Sequence, residues 1–249
     1  SYGLFGIPEP GTKLVHVHPD PDELGRVYHP TLAINASATA FCAALEGLQP
    51  PNEIAWRGES DTAHADFVAW TEKATPQPGG VNLGEVMIWL RENLPEDAIV
   101  TNGAGNFAAW IHRFYRVRKY GGVVGSTSGS MGYGFPAALG MQTQFPERTV
   151  VCVAGDGDFL MTGQDFATAV QYGLPIIVVI SDNGLYGTIR MHQERDFPGR
   201  VVATELRNPD FAGYGQVFGG FGIKVEKTAD FPAAFAAAKA SGKPSIIHL

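Results

Sequence analysis

The 249 residues contain only two cysteines, no uninterrupted apolar run long enough for a membrane span, and no surplus of positive charge. Cys42 and Cys152 lie far apart in apolar stretches, which suits two buried, reduced thiols better than a disulfide framework. A spanning helix needs roughly 18 or more consecutive apolar residues, and none is expected here. The opening "SYGLFGIPEPG" lacks the basic and apolar regions of a secretory signal, which makes the cytoplasm the expected compartment. Lysine and arginine number 18 against 25 aspartates and glutamates, a formal net charge of −7. That balance disfavours a nucleic-acid binder, whose domain normally carries a basic face, and an anionic small ligand would have to be held by local groups. What is present is a 45% hydrophobic chain, sufficient for one large core or one core plus a smaller piece.

Three regions follow one another. "KLVHVHPDPDELGRV" predicts a short strand closed by a Pro/Asp turn, and "SATAFCAALEGL" predicts a helix from Ser37 to Leu48. Residues 1–48 are too few for a domain of this kind. From residue 49 to 80 proline and glycine accumulate around one polar helical piece near Ala63 to Lys73, as in an interdomain linker. From residue 81 to 249 helical and strand patterns alternate over short connections, the signature of an α/β fold with a mostly parallel, doubly wound sheet. Asn82 and Glu85 form a capping box for the helix "LGEVMIWLREN". "AIVT", "TVVCVA", "LPIIVVIS", "GIKVE" and "SIIHL" are the strands, and the second and third of these are continuous enough to be buried on both faces.

The loops "NGAGN", "GDGDF" and "SDNGLYG" all follow predicted strands, so they should share the carboxyl edge of the sheet, where open parallel sheets bind ligands. "NGAGNFAAW" looks like half of a dinucleotide fingerprint, but no acidic residue closes the next strand to hold a ribose, which disfavours nicotinamide binding. His16 and His18 share a strand face without a third ligand at sensible spacing, which disfavours a metal site there. The second and third loops are more informative together. Asp156 ends one predicted strand and Asn183 the next, so parallel neighbours would bring a carboxylate and an amide oxygen together. With a turn carbonyl they make a hard-oxygen set suited to Mg²⁺. Gly155 and Gly157 would let the backbone approach phosphate oxygens. An isolated "GDG" equally suits a turn or helix cap.

The "GDG" triplet followed by Asn183 after 25 residues resembles the thiamine diphosphate motif. "SGSMGYGFPAALG" upstream and "NGLYGTIRMHQE" downstream are similar to the cofactor-binding domain of the acetolactate synthase and 2-oxo acid decarboxylase family. The resemblance covers roughly residues 81–249, with the segment before it a remnant of the family's central α/β domain. It implies Asp156, Asn183 and the Leu185 carbonyl as Mg²⁺ ligands, and Gly157 and Asp158 at the diphosphate. Gly105, Asn106, Phe107, Gly129, Ser130, Gly155, Tyr186 and Gly187 would line the cofactor. Met131 falls where the family places a large apolar side chain that holds the two cofactor rings bent. The implied activity is carboligation of 2-oxo acids such as pyruvate, with simple decarboxylation or a non-catalytic binding module as the alternatives.

Departures from the family pattern are informative. Asn106 and Phe107 stand where acetolactate synthases commonly carry Gln and His. His192 falls near a Trp that shapes their substrate pocket, although a lone His is more often a structural hydrogen-bonding residue. Asp158 puts a second carboxylate beside a diphosphate, which costs free energy unless that carboxylate turns away or is paired. The family's activating Glu belongs to an N-terminal domain, usually from a partner subunit, and nothing in these residues substitutes for it. The chain is therefore expected to be the C-terminal portion of a longer homodimeric or homotetrameric enzyme, inactive without that domain, with FAD allowed in the full-length protein.

Overall fold

The structure, a computed structural model, describes residues 5–249. The chain divides into two compact units, Ser1–Asp61 and Thr62–Leu249. In the first, β1 (Val15–His18) and β2 (Leu32–Asn35) pair in parallel with Val15 opposite Leu32. The helix α1 (Ala38–Glu46) starts at Ser37, whose hydroxyl accepts the Ala40 N–H at 3.2 Å. No residue of α1 is buried, so Cys42 is exposed. The expectation of a buried thiol fails there because apolar neighbours in sequence bury nothing without an element packed over them. The predicted linker, residues 49–80, contains α2 (Arg57–Glu72), and the division between units falls inside that helix.

The second unit is built on six parallel strands: β3 (Ile99–Asn102), β4 (Val123–Gly125), β5 (Val150–Gly155), β6 (Ile177–Ser181), β7 (Phe221–Lys224) and β8 (Ser245–His248). Their order is β4-β3-β5-β6-β8-β7. Side chains alternate between two cores, one on each face of the sheet. Val151, Val153, Ile177 and Val179 pack with α3 (Leu83–Asn93), α4 (Ala108–Phe114) and α10 (Phe231–Ala240). Val150, Cys152, Val178 and Ile180 pack with Phe135 of α5 (Gly134–Gln144), Phe159 of α6 (Asp156–Phe159), Phe166 of α7 (Phe166–Gln171) and Phe211 of α9 (Phe211–Val217). Each fully buried aliphatic side chain contributes about 1.5–3 kcal/mol relative to exposure, which is why these continuous runs form the centre of the sheet. Cys152, inside it, has its thiol pushed up to about 12 by burial. No helix among the described residues is long and apolar enough to cross a membrane.

Two local details differ from expectation. Asn82 caps α3 by accepting from Gly84 and Glu85, but its own N–H goes to Thr228 Oγ1 at 2.8 Å rather than to Glu85. Half of the capping box is thus replaced by a contact from 146 residues away. The strands β2 and β4 were not anticipated, since both are short and neither presents a buried face. Because β3, β5 and β6 are adjacent and parallel, the loops that follow them meet on one edge.

Candidate functional site

That edge opens into a cleft of about 800 Å³ lined by Gly105, Asn106, Phe107, Gly129, Met131, Gly155, Asp156, Gly157, Asp158, Asn183, Leu185, Tyr186 and Gly187. Of the residues expected to line the cofactor or hold the cation, Ser130 is the one placed outside the lining. Its hydroxyl lies 2.8 Å from Ser128 Oγ and its N–H is bonded to Ser126 Oγ. His192 also stays out of the lining, on α8 (Gly187–Asp196), with its Nδ1 2.8 Å from an Arg195 nitrogen.

Asp156 stands at the end of β5 and is almost fully buried. Its Oδ1 accepts the Gly157 N–H at 2.9 Å, and its Oδ2 accepts from the Gly184 N–H at 2.9 Å and from Asn208 Nδ2 at 2.6 Å. Gly184 separates Asn183 from Leu185, so Asp156 is bonded directly to the turn that carries the other two predicted ligands. Asn183 Oδ1 accepts the Leu185 N–H at 3.0 Å. A short antiparallel bridge between Leu185 and Glu205 fixes the turn through hydrogen bonds from Tyr186 to Thr204 and from Leu206 to Gly184. Neither bond uses the Leu185 carbonyl. Burial raises the Asp156 carboxyl above its ordinary value, against the hydrogen bonds from Gly157 and Asn208, and the charge of Asp182 adds to the rise.

The carboxylate of Asp158 belongs to the scaffold. Its Oδ1 accepts the N–H groups of Ala104, after β3, at 3.0 Å and of Gly132, before α5, at 2.8 Å. It therefore ties the first and second loops to a third, "SGSMGYG". Burial raises this carboxyl too, and the two N–H groups offset part of the rise. A Cβ at Gly103 would stand 2.0 Å from the same Oδ1, so only glycine fits there. Met131, half-buried in the turn before α5, immediately precedes one of these anchors, and the Gly132 carbonyl is held again by Thr162 Oγ1 at 2.9 Å. Replacing Asp158 with Ala leaves two N–H groups without their acceptor, at about 1–3 kcal/mol each. Asp158→Asn can keep one oxygen facing both and should retain most of that stability. Thermal unfolding of the two variants checks the difference, and equal losses would contradict the brace.

Glycine and aromatic positions shape the rest. A Cβ at Gly157 would lie 2.5 Å from the Tyr186 ring, and one at Gly155 2.9 Å from the Phe107 ring. Thr188 Oγ1 donates to Asn106 Oδ1 at 2.9 Å, joining the start of α8 to the loop after β3. Sequence reasoning missed Asp182, Asn208 and His248. Asp182 Oδ1 accepts from Gly184 at 3.0 Å and from Asn208 at 2.7 Å, while its Oδ2 lies 3.0 Å from His248 Nε2. Burial would raise this carboxyl, but the bonds from Asn208, His248 and Gly184 outweigh it and lower it. A polar residue closing a buried strand was a usable signal for Asp182 and His248. Asn208 sits in a loop that no strand pattern marks.

The charged residues lining the cleft are Asp156, Asp158, Asp182 and Glu226 against Lys224 alone. Such a lining repels a polyanion unless a cation joins it. The carboxylate, amide and carbonyl oxygens of Asp156, Asn183 and Leu185 are the donor types a hard divalent ion accepts.

Comparison with known proteins gives four findings. The profile of a family described as "Thiamine pyrophosphate enzyme, C-terminal TPP binding domain" matches residues 103–249. The acetolactate synthase large subunit of Parasynechococcus marenigrum is 32% identical over 251 residues, covering 96% of this chain and 39% of that protein. The isozyme 2 large subunit of Escherichia coli is 29% identical, covering 96% of this chain and 43% of its own length. Among solved structures, a thiamine diphosphate-dependent 4-hydroxybenzoylformate decarboxylase of Rhodococcus jostii superposes with a TM-score of 0.77 at 25% identity, over 96% of this chain and 44% of that one. The chain thus spans less than half the length of these relatives.

Proposed function

The chain belongs to the thiamine pyrophosphate enzymes through their C-terminal TPP-binding domain, and on that premise we propose that it serves a Mg²⁺-dependent carboligase of 2-oxo acids such as pyruvate. The observation that carries this reading is the direct bonding of Asp156 to the turn holding Asn183 and Leu185, inside a glycine-lined cleft short of cationic side chains. Asp156 Oδ, Asn183 Oδ1 and the Leu185 carbonyl would hold the cation. Gly155 and Gly157 lie in the lining with the Phe107 and Tyr186 rings packed against them as apolar walls, and Met131 lines the same space. Bound thiamine diphosphate supplies the electron sink for the pair left when a 2-oxo acid loses CO₂.

Asp158 serves as a brace, its Oδ1 accepting two backbone N–H groups from neighbouring loops. The activating carboxylate would come from an N-terminal domain of a partner subunit in a homodimer or homotetramer. The similarity to a decarboxylase structure favours a second reading, simple decarboxylation. Product analysis of the full-length protein with pyruvate, thiamine diphosphate and Mg²⁺ separates the two. Acetolactate is the expected product. Acetaldehyde alone would establish the second reading, and no product from any 2-oxo acid would reject both.

A further inference from the structure

Asp156 and Asp182 are carboxylates from adjacent strand ends, and two shared donors hold them in register. The Gly184 N–H lies 2.9 Å from Asp156 Oδ2 and 3.0 Å from Asp182 Oδ1. Asn208 Nδ2 lies 2.6 Å from the first oxygen and 2.7 Å from the second. Gly184 has one hydrogen to divide, whereas the amide of Asn208 has two and gives one to each carboxylate. Its orientation is fixed by chemistry, because both neighbours are acceptors and only the NH₂ side can face them. The Asn208 Oδ1 is left buried without a partner, so the donor side of this amide accounts for its placement.

Asn208 also closes a strap. Residues 204–208 run beside the turn at 184–186, joined to it by the Tyr186 to Thr204 bond at 2.9 Å and the Leu206 to Gly184 bond at 2.7 Å. Ala203, at the entrance to the strap, has φ 56°, the left-handed region that alanine seldom adopts. The strap is therefore entered through a backbone conformation unfavourable to alanine, and the Asn208 amide is its side-chain contact with both carboxylates. His248 Nε2 faces the remaining oxygen of Asp182 at 3.0 Å, so Asp182 cannot rotate away from Asn208 without giving up that contact.

We propose that Asn208 is a positioning residue for the cation: it holds Asp156 and Asp182 side by side so that Asp156 presents a fixed oxygen beside Asn183 and Leu185. This inference rests on the Mg²⁺ reading of that site. Groups that orient a metal ligand typically change metal affinity by about 10- to 100-fold when removed. Asn208→Ala in the full chain should accordingly raise the Mg²⁺ concentration for half-maximal thiamine diphosphate binding by about 10- to 100-fold. Saturating Mg²⁺ should then restore cofactor affinity to near that of the unsubstituted protein.

Asn208→Ser, which offers one hydrogen in place of two, should fall between, and it supplies the result if the Ala variant does not fold. Binding followed by intrinsic fluorescence, with thermal unfolding in the absence of Mg²⁺, separates positioning from bulk stability. An unchanged Mg²⁺ requirement in the variants overturns the proposal, as does a loss of cofactor binding that excess Mg²⁺ does not restore. If the unsubstituted protein itself binds thiamine diphosphate without regard to Mg²⁺, the underlying reading of the site fails instead.

Discussion

Asp156→Ala weakens Mg²⁺-dependent thiamine diphosphate binding at least tenfold, about 1.4 kcal/mol in binding free energy. The expectation follows from what the carboxylate does on both sides. Toward the cleft it is the one anionic oxygen donor in the proposed ligand set. Toward the protein it accepts from Gly157, Gly184 and Asn208, so its removal also frees the turn that carries Asn183 and Leu185. Asp156→Asn keeps the shape and one acceptor oxygen while removing the charge. If charge is decisive, the Asn variant resembles Ala in cofactor titrations at fixed Mg²⁺, yet unfolds at a temperature closer to that of the parent. Unchanged affinity in both variants would refute the assignment.

Met131→Ala slows C2 proton exchange on the bound cofactor by on the order of a hundredfold, the size of effect that a misplacement of about 1 Å produces. Met131 lines the cleft and is held by its neighbour Gly132, which Asp158 and Thr162 anchor from two sides. A side chain mounted so firmly can keep the two cofactor rings bent toward each other. Truncation leaves Asp156 and Asn183 in place, so binding is retained while exchange is lost. A residue that only filled the core would behave differently, with Ala costing roughly 2–5 kcal/mol of stability and Leu being nearly silent. Exchange, affinity and thermal stability measured together in the full-length protein distinguish these outcomes. Normal exchange in a merely destabilised Ala variant would make Met131 a packing residue.

The fold was legible because burial on both faces leaves a strong mark. "TVVCVA" and "LPIIVVIS" became β5 and β6, adjacent and parallel, and that adjacency brings Asp156 to the Asn183 turn. Where burial was slight the sequence carried no signal: β4 is a three-residue edge strand among glycines, and the apolar composition of α1 did not bury Cys42. The site was legible where residues end strands. It was not legible where the geometry depends on long-range pairing, as with Asn208, 52 residues beyond Asp156 in a loop without periodicity. Asp158 shows the same limit. The family resemblance implied a place for it beside the diphosphate, but only the folded loops reveal that its carboxylate braces Ala104 and Gly132.

The most direct test of the account is a calorimetric titration of the full-length protein with thiamine diphosphate, with Mg²⁺ present and again after chelation by EDTA. The cleft holds four carboxylates and one lysine, so a diphosphate should enter only with its cation. The account predicts saturable binding to one site per chain with Mg²⁺ and its loss on chelation. Equal affinity with and without Mg²⁺, or no binding in either case, would contradict it.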